Sequence, residues 1–265
     1  MEPAERAARV VARTVVPMFR QADPLSEQVS QALLGMPVRQ LGGRDPWRRI
    51  ETPDGYRGWV AAAAVLPCPE GWAPPWVEMT DLWVNLRAVD DSRAAAAFQA
   101  VIGTRLPLTG RSEGWAQVLL PDGRRLWTEA RRVRPAGERP LYPARPRAVC
   151  RTARRFLGIP YLWGGCSPLG LDCSGFVQLV MRLHGVALPR DAHEQARRGE
   201  PVEAPAAGDL VFFGPEEARI THVGLMLDGE RFIHAAGSDR VRVNRLRDPP
   251  YAGICRGGRR CLPAA

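Results

Sequence analysis

The feature that most constrains this chain is an internal repeat. When the 265-residue sequence is laid on itself at an offset of 68, twelve positions between 31 and 65 recur without a gap between 99 and 133. They are Gln31/Gln99, Ala32/Ala100, Gly35/Gly103, Gly42/Gly110, Trp47/Trp115, Pro53/Pro121, Asp54/Asp122, Gly55/Gly123, Arg57/Arg125, Trp59/Trp127, Ala62/Ala130 and Val65/Val133. Chance at average composition would give about two or three identities in a stretch of that length. A domain is therefore duplicated. In each copy a Gly-rich turn leads into an alternating segment, then Pro-Asp-Gly, then a second apolar segment: Trp47 to Thr52, Pro53-Asp54-Gly55, Tyr56 to Val60. An Asp-Gly pair between two such segments predicts a hairpin whose central residues both accept positive φ. Each copy thus reads as a small barrel of short strands. Trp47, Trp59, Trp115 and Trp127 are expected to fill the two cores. Tyr56 stands where the second copy has Arg124, so the copies have diverged at an exposed turn.

The Gly…Trp…Asp-Gly…Gly-Trp-Val pattern resembles the bacterial SH3-like (SH3b) module, over about residues 8–67 and 77–136. Downstream, Pro135, Pro140, Pro143 and Pro146 suppress helix and favour an extended, semi-rigid linker. The expected plan is a first barrel over 1–68, a second over 69–137, a linker over 138–146 and a third domain over 147–265.

Composition narrows the possible functions. No run of about 18 apolar residues exists, so no membrane span is expected. Arg6, Arg9, Arg13 and Arg20 interrupt the apolar residues near the start, and no signal peptide is predicted. The expected location is the cytoplasm. The net charge is +9, and every basic residue is arginine, scattered rather than gathered on one helix, so no nucleic-acid partner is expected. Six cysteines without a CxxC pair give no zinc signature, and no metal or cofactor is predicted.

The chemistry is expected in the third domain. Residues 147–157 have helical spacing, and a second helix opens after Leu171-Asp172, with Asp172 as N-cap and Gly185 as stop. Cys173 then falls in the first turn, where unpaired N–H groups and the helix dipole favour thiolate. The alternative reading is an inert cysteine filling the core. Strands are predicted over 208–213, 220–227 and 231–236, the last two joined at Asp228-Gly229. In that hairpin His222 and His234 can share a face, with His222 as base and His234 holding its tautomer. His184 and His193 are read as structural or solvent-facing.

Tyr161-Leu162-Trp163-Gly164-Gly165, Asp172-Cys173-Ser174-Gly175-Phe176-Val177, Ala207-Gly208-Asp209-Leu210, Thr221-His222-Val223-Gly224 and Ile233-His234-Ala235 together resemble the NlpC/P60 cysteine peptidases. The resemblance implies an α+β fold: a papain-like NlpC/P60 catalytic domain preceded by two small all-β SH3-like barrels. It implies Cys173 as nucleophile, His222 as general base, His234 as orienting member, and an oxyanion site from the Cys173 N–H and the Tyr161 hydroxyl. The paired barrels narrow the resemblance to γ-D-glutamyl-L-diamino acid endopeptidases of murein-peptide recycling. Those enzymes cut after γ-D-glutamate in short peptidoglycan-derived peptides with a free N-terminal L-alanine. Asp191, Tyr56 and Glu27 are then candidates for the ammonium. Ser174 and Trp163 are candidates for contact with the γ-D-glutamyl unit, and Asp172 and Arg190 are further candidate substrate-binding residues. The chain departs from the pattern at Ala192, where relatives carry a small hydroxyl residue, so one polar substrate contact is expected to be missing. A hydrolase of intact wall, an acyltransferase or amidase on the same scaffold, and a binding protein with a degenerate catalytic fold remain alternatives.

Overall fold

The computed structural model of the chain describes residues 8–263 apart from 138, 217 and 238. It divides into two compact units, one ending at Leu141 and the other beginning at Tyr142.

The first unit holds the repeat. Its first copy contains β1 (Ala8–Val11), β2 (Val15–Phe19), β3 (Gln28–Leu33), β4 (Pro37–Arg44), β5 (Trp47–Glu51), β6 (Arg57–Ala61) and β7 (Val65–Pro67), in the order β3-β2-β6-β5-β4-β1-β7. Its second contains β8 (Trp76–Met79), β9 (Trp83–Arg87), β10 (Ala96–Val101), β11 (Arg105–Ser112), β12 (Trp115–Leu119), β13 (Arg125–Glu129) and β14 (Val133–Ala136), in the matching order. Every strand start recurs at the 68-residue offset. The shared glycines explain why. Gly42 and Gly110 each follow a bulge, between Gln40 and Gly42 and between Leu108 and Gly110. Gly35 and Gly103 have φ of 74° and 77°, a region that excludes most side chains. A Cβ at Gly35 would also land on the carbonyl of Arg105 in the other copy.

Two expectations are corrected here. The hairpin turn is not a two-residue Asp-Gly turn. Gly55 N bonds Thr52 O at 2.8 Å, so Pro53 and Asp54 are central, with Gly55 following at φ 83°. Proline cannot take the positive φ that a primed turn requires at that place. Nor do the four tryptophans fill the cores. The cores are aliphatic, built on Val16, Met18, Val38, Ile50 and Val60 in one copy and Val84, Leu86, Leu106, Val118 and Leu126 in the other. Barrels this thin are filled by branched aliphatic side chains; truncating one such as Ile50 to Ala costs about 2–5 kcal/mol. Trp47 and Trp115 instead line equivalent surface grooves. The first groove is apolar, with Val15, Pro17, Phe19, Pro24 and Ala61. The second has Trp83, Asn85, Arg87, Thr128 and Glu129 at or beside the matching positions.

The second unit contains α1 (Pro146–Arg154), a short hairpin of β15 (Cys166–Ser167) and β16 (Gly170–Leu171), α2 (Cys173–Leu183), α3 (Ala192–Gln195), β17 (Glu200–Val202), β18 (Leu210–Phe213), β19 (His222–Met226), β20 (Arg231–Ala235), β21 (Val241–Arg245), α4 (Tyr251–Ile254) and β22 (Cys255–Arg260). The sheet runs β17-β22-β18-β19-β20-β21, with antiparallel pairing throughout. Helix α1 begins at Pro146, whose fixed φ suits the first helical position. Helix α2 ends before Gly185 at φ 79°, as its sequence predicts. It packs across β19 and β20 through an apolar face that includes Phe176, Val177 and Val180, all fully buried. The sheet and α2 together bring the chemistry-bearing side chains to one place. His184 is a buried tie, 2.6 Å from the Pro143 carbonyl and 2.9 Å from Thr152 Oγ1, and His193 is exposed.

Candidate active site

The start of α2 is fixed by a buried ion pair. Asp172 caps the helix, its Oδ1 accepting from Gly175 N at 2.7 Å. Its Oδ2 accepts from Gly164 N at 2.9 Å, which ties the Tyr-Leu-Trp-Gly-Gly loop to the helix. Arg190, 2% exposed, grips the same carboxylate with both terminal nitrogens, Nη1 at 3.0 Å and Nη2 at 2.5 Å. Arg190 Nη1 also donates to Ser174 Oγ at 2.8 Å, and Ser174 Oγ lies 3.3 Å from Asp172 Oδ1. Gln195 Nε2 donates to the carbonyls of Ser174 (3.0 Å) and Pro189 (2.9 Å), joining the Arg190 segment to α2. Glycine makes the close approach possible. A Cβ on Gly175 would land on the Gly165 carbonyl, and one on Gly165 would land on that of Gly170. Asp172, Ser174 and Arg190 therefore form one network, and Cys173 sits on it.

The histidines come from the sheet. Pairing of β19 with β20 matches Leu225 with Ile233 and Met226 with Phe232. Continued one step, that register sets Gly224 opposite His234 and leaves His222 diagonal to it on the same face. A side chain at Gly224 would meet the Phe232 ring at 2.6 Å and His234 Cβ at 3.4 Å. The glycine thus clears the space into which the two imidazoles lean. His222 Nε2 and His234 Nδ1 are 2.8 Å apart. Where the β19–β20 ladder stops, the Val223 backbone N–H serves the Cys173 sulfur, which puts the thiol beside the strand that begins at His222.

Burial sets the charges. It pushes the Cys173 thiol up to about 11, with the Asp172 carboxylate adding to the rise and the Val223 and Ser174 N–H groups opposing it. Burial likewise pulls His222 down to about 3, helped by His234, and His234 down to about 4, opposed by its bond to Asn244. Burial thus favours the uncharged thiol and uncharged imidazoles, and with Cys173 only 8% exposed, desolvation works against the dipole that favours thiolate at the helix start.

Tyr161 bonds through its backbone N–H to Asp239 O at 2.9 Å and bridges Leu171, next to Asp172. Burial, with the neighbouring Asp172 carboxylate adding to it, holds its hydroxyl protonated, and so able to donate. Trp163 is 61% exposed and follows exposed Leu162 in the chain. Asp191 precedes α3 and is half-buried. These lie in the second unit with Cys173. Glu27 and Tyr56 belong to the first. Glu27 pairs with Arg20 at 2.7 Å, and Tyr56 packs half-buried against the aliphatic core.

Sequence reasoning missed Asn244 and Tyr251. Asn244 Oδ1 lies 3.1 Å from His234 Nε2, and the Tyr251 ring stands edge-on to the His234 ring at 5.3 Å. Their roles depend on strand register and on a four-residue helix, neither of which carries a local signal. Among the described residues no group of three or more His, Cys, Asp or Glu side chains is arranged to hold a metal, no disulfide joins the cysteines, and no helix is long and apolar enough to cross a membrane.

Comparison with known proteins finds residues 158–260 matching the NlpC/P60 family and residues 18–65 matching the bacterial dipeptidyl-peptidase SH3 domain. A γ-D-glutamyl-L-lysine dipeptidyl-peptidase of Bacillus cereus is 30% identical over 253 residues, covering 88% of this chain and 75% of that protein. Dipeptidyl-peptidase 6 of Lysinibacillus sphaericus is 27% identical over 258 residues, covering 89% and 91%. The crystal structure of an NlpC/P60 family protein from Bacillus cereus superposes with a TM-score of 0.88 at 23% identity, covering 97% of this chain and all of that one, and so shares its fold.

Proposed function

The chain belongs to the NlpC/P60 family of cysteine peptidases, and we propose that it hydrolyses the bond between γ-D-glutamate and the following diamino acid in stem peptides with a free N-terminal L-alanine. The observation that carries this reading is the extent of the likeness. Similarity to the two dipeptidyl-peptidases runs through the barrels as well as the peptidase unit, over 88% and 89% of this chain. Recycling of short murein peptides is the proposed setting.

In the proposed reaction the Cys173 thiol gives its proton to His222 as sulfur attacks the γ-carbonyl of the D-glutamyl unit. The developing oxyanion meets the Cys173 backbone N–H at the start of α2 and the protonated Tyr161 hydroxyl. His222 passes the proton to the departing amine of the diamino acid, leaving a thioester on Cys173. Water, deprotonated by His222, then cleaves the thioester and restores the thiol. Keeping His222 neutral at rest lets it accept the proton at physiological pH. Asp172 and Arg190 act by holding Cys173 and Ser174 in place. Trp163 and Ser174 are assigned to the γ-D-glutamyl unit and Asp191 to the ammonium, while Glu27 and Tyr56 are further ammonium candidates from the resemblance.

The test compares two peptides by mass spectrometry of products: free L-Ala-γ-D-Glu-diaminopimelate, and the same peptide with its amine blocked by a muramyl group. Cleavage of the free peptide alone, lost in Cys173→Ala, is the expected result. Asp191→Asn is expected to raise KM for that peptide more than it lowers kcat, and Glu27→Gln and Tyr56→Phe are read in the same assay. Cleavage of both peptides would move the reading to wall hydrolysis. Cleavage of neither would overturn it.

A further inference from the structure

We propose that Asn244, oriented by Arg242, is the positioning residue that fixes the tautomers of His234 and His222 and so leaves His222 with Nδ1 as its basic nitrogen. The inference rests on Cys173, His222 and His234 being the reacting set.

Two neutral imidazoles joined Nε2 to Nδ1 at 2.8 Å can share their proton in two ways. In one, His222 Nε2–H donates to His234 Nδ1, and His222 keeps a lone pair on Nδ1. In the other, His234 Nδ1–H donates to His222 Nε2, and His222 Nδ1 carries a proton and cannot act as base. The far nitrogen of His234 decides between them. His234 Nε2 faces Asn244 Oδ1 at 3.1 Å, and a carbonyl oxygen only accepts, so His234 must carry its proton on Nε2. Its Nδ1 is then a lone pair, and His222 must donate from Nε2.

An asparagine could flip and present its NH2 group instead, reversing the whole row. Arg242 prevents this. Its Nε lies 2.9 Å from the same Asn244 oxygen, and a guanidinium N–H only donates. Arg242 Nη1 is itself paired with Asp239 at 3.2 Å. The Tyr251 hydroxyl, 3.4 Å from His234 Nε2, rotates to accept or donate and so follows the tautomer without choosing it. The register explains the row. Pairing of β20 with β21 sets His234 opposite Arg242 and Phe232 opposite Asn244, all on the face that carries His222. Phe213, Phe232 and Tyr251 pack around the pair, and His234 is fully buried, so water does not compete for its nitrogens.

The row has a consequence for proton transfer. When the Cys173 proton reaches His222 Nδ1, the imidazolium keeps its Nε2–H on the His234 lone pair, and no second proton has to move.

Histidine 15N NMR of the full-length protein reads the tautomers directly. Wild type is expected to show Nε2–H on both His222 and His234. Asn244→Leu is expected to shift both toward mixed tautomers and to lower kcat on free L-Ala-γ-D-Glu-diaminopimelate by about 10–100-fold, with KM nearly unchanged. Asn244→Asp keeps an acceptor and is expected to keep the tautomers, and Arg242→Met to lower kcat less than Asn244→Leu. An Nδ1–H tautomer on His222 in wild type would overturn the inference, as would Asn244→Leu with tautomers and kcat unchanged. If Asn244→Leu fails to fold, the wild-type spectrum and Arg242→Met still decide. A correct tautomer in a protein that cuts no peptide would count against the peptidase assignment and not against the row.

Discussion

Two buried polar systems flank Cys173, and they are built on opposite principles. The Asp172–Arg190–Ser174 network at the start of α2 is charged, and its carboxylate has partners on both oxygens. The His222–His234–Asn244 row across the sheet is neutral, and each member hands one hydrogen bond to the next. A closed ion pair cannot give up or take a proton without leaving a bare charge, so it serves to hold position. A neutral row can take one proton at one end and spread its effect along the hydrogen bonds. Desolvation is common to both; what differs is whether a compensating charge is present.

That contrast can be broken from either side. The largest stability effect is expected from Arg190→Met, which strands the Asp172 carboxylate in the interior. Urea unfolding should show a loss of about 3–5 kcal/mol, and adding Asp172→Asn should recover part of it. If the single change costs less than about 1 kcal/mol, the ion pair is not what fixes the helix start.

Acid probes the neutral row. His222 and His234 have folded values of about 3 and about 4, below the ordinary 6.5, so the unfolded chain binds protons that the folded one refuses. Their contribution to stability is present above the ordinary value and is lost as pH falls below it. Each should remove about 1.4 kcal/mol per pH unit until its own folded value is reached. Denaturant midpoints between neutral pH and pH 4.5, with His234→Gln as comparison, measure this.

Alkylation of Cys173 sharpens the same point without substrate. A thiol held up at about 11 should react with iodoacetamide at a rate that climbs with pH and levels off only near that value. A plateau reached already at neutral pH would mean a preformed thiolate, and the site could not then be described as neutral at rest.

The smallest effect comes from a buried polar group without chemistry. Thr128 is fully buried, and among the described residues its hydroxyl has no partner, whereas the first barrel places Val60 at the equivalent position. Thr128→Val should stabilise the protein by about 1 kcal/mol. Thermal unfolding is sufficient to see it, and a fall in Tm would show that the hydroxyl has a role after all.

How much of this could be read beforehand follows physical lines. Asp172 as a cap and Cys173 after it were legible, because a helix start announces itself within four residues. His222 and His234 were legible as a hairpin pair because Asp228-Gly229 marks the turn between them. Arg190 as the partner of Asp172 was not, since it lies 18 positions further along the chain and only the tertiary fold closes that distance. Asn244 was hidden for a similar reason: only the β20–β21 register turns it toward His234. The tryptophans mislead because large aromatic residues suggest a core, whereas the buried cores of both barrels are built from Val, Leu, Ile, Ala and Met. The Pro-Asp-Gly turn misleads because Asp-Gly signals a two-residue hairpin turn, while the proline before it moves the centre of the turn one residue back.

The paired grooves in the first unit separate two kinds of position that a single barrel would leave confounded. The same strands, bulges and turns carry Val15, Pro17, Phe19 and Ala61 in one copy and Trp83, Asn85, Arg87 and Glu129 in the other. Residues that hold the frame and residues that line the groove are thus largely different sets, and the lining tolerates a change from apolar to charged. The chain carries, in effect, a display scaffold beside its own worked example of how far the displayed surface can be rewritten.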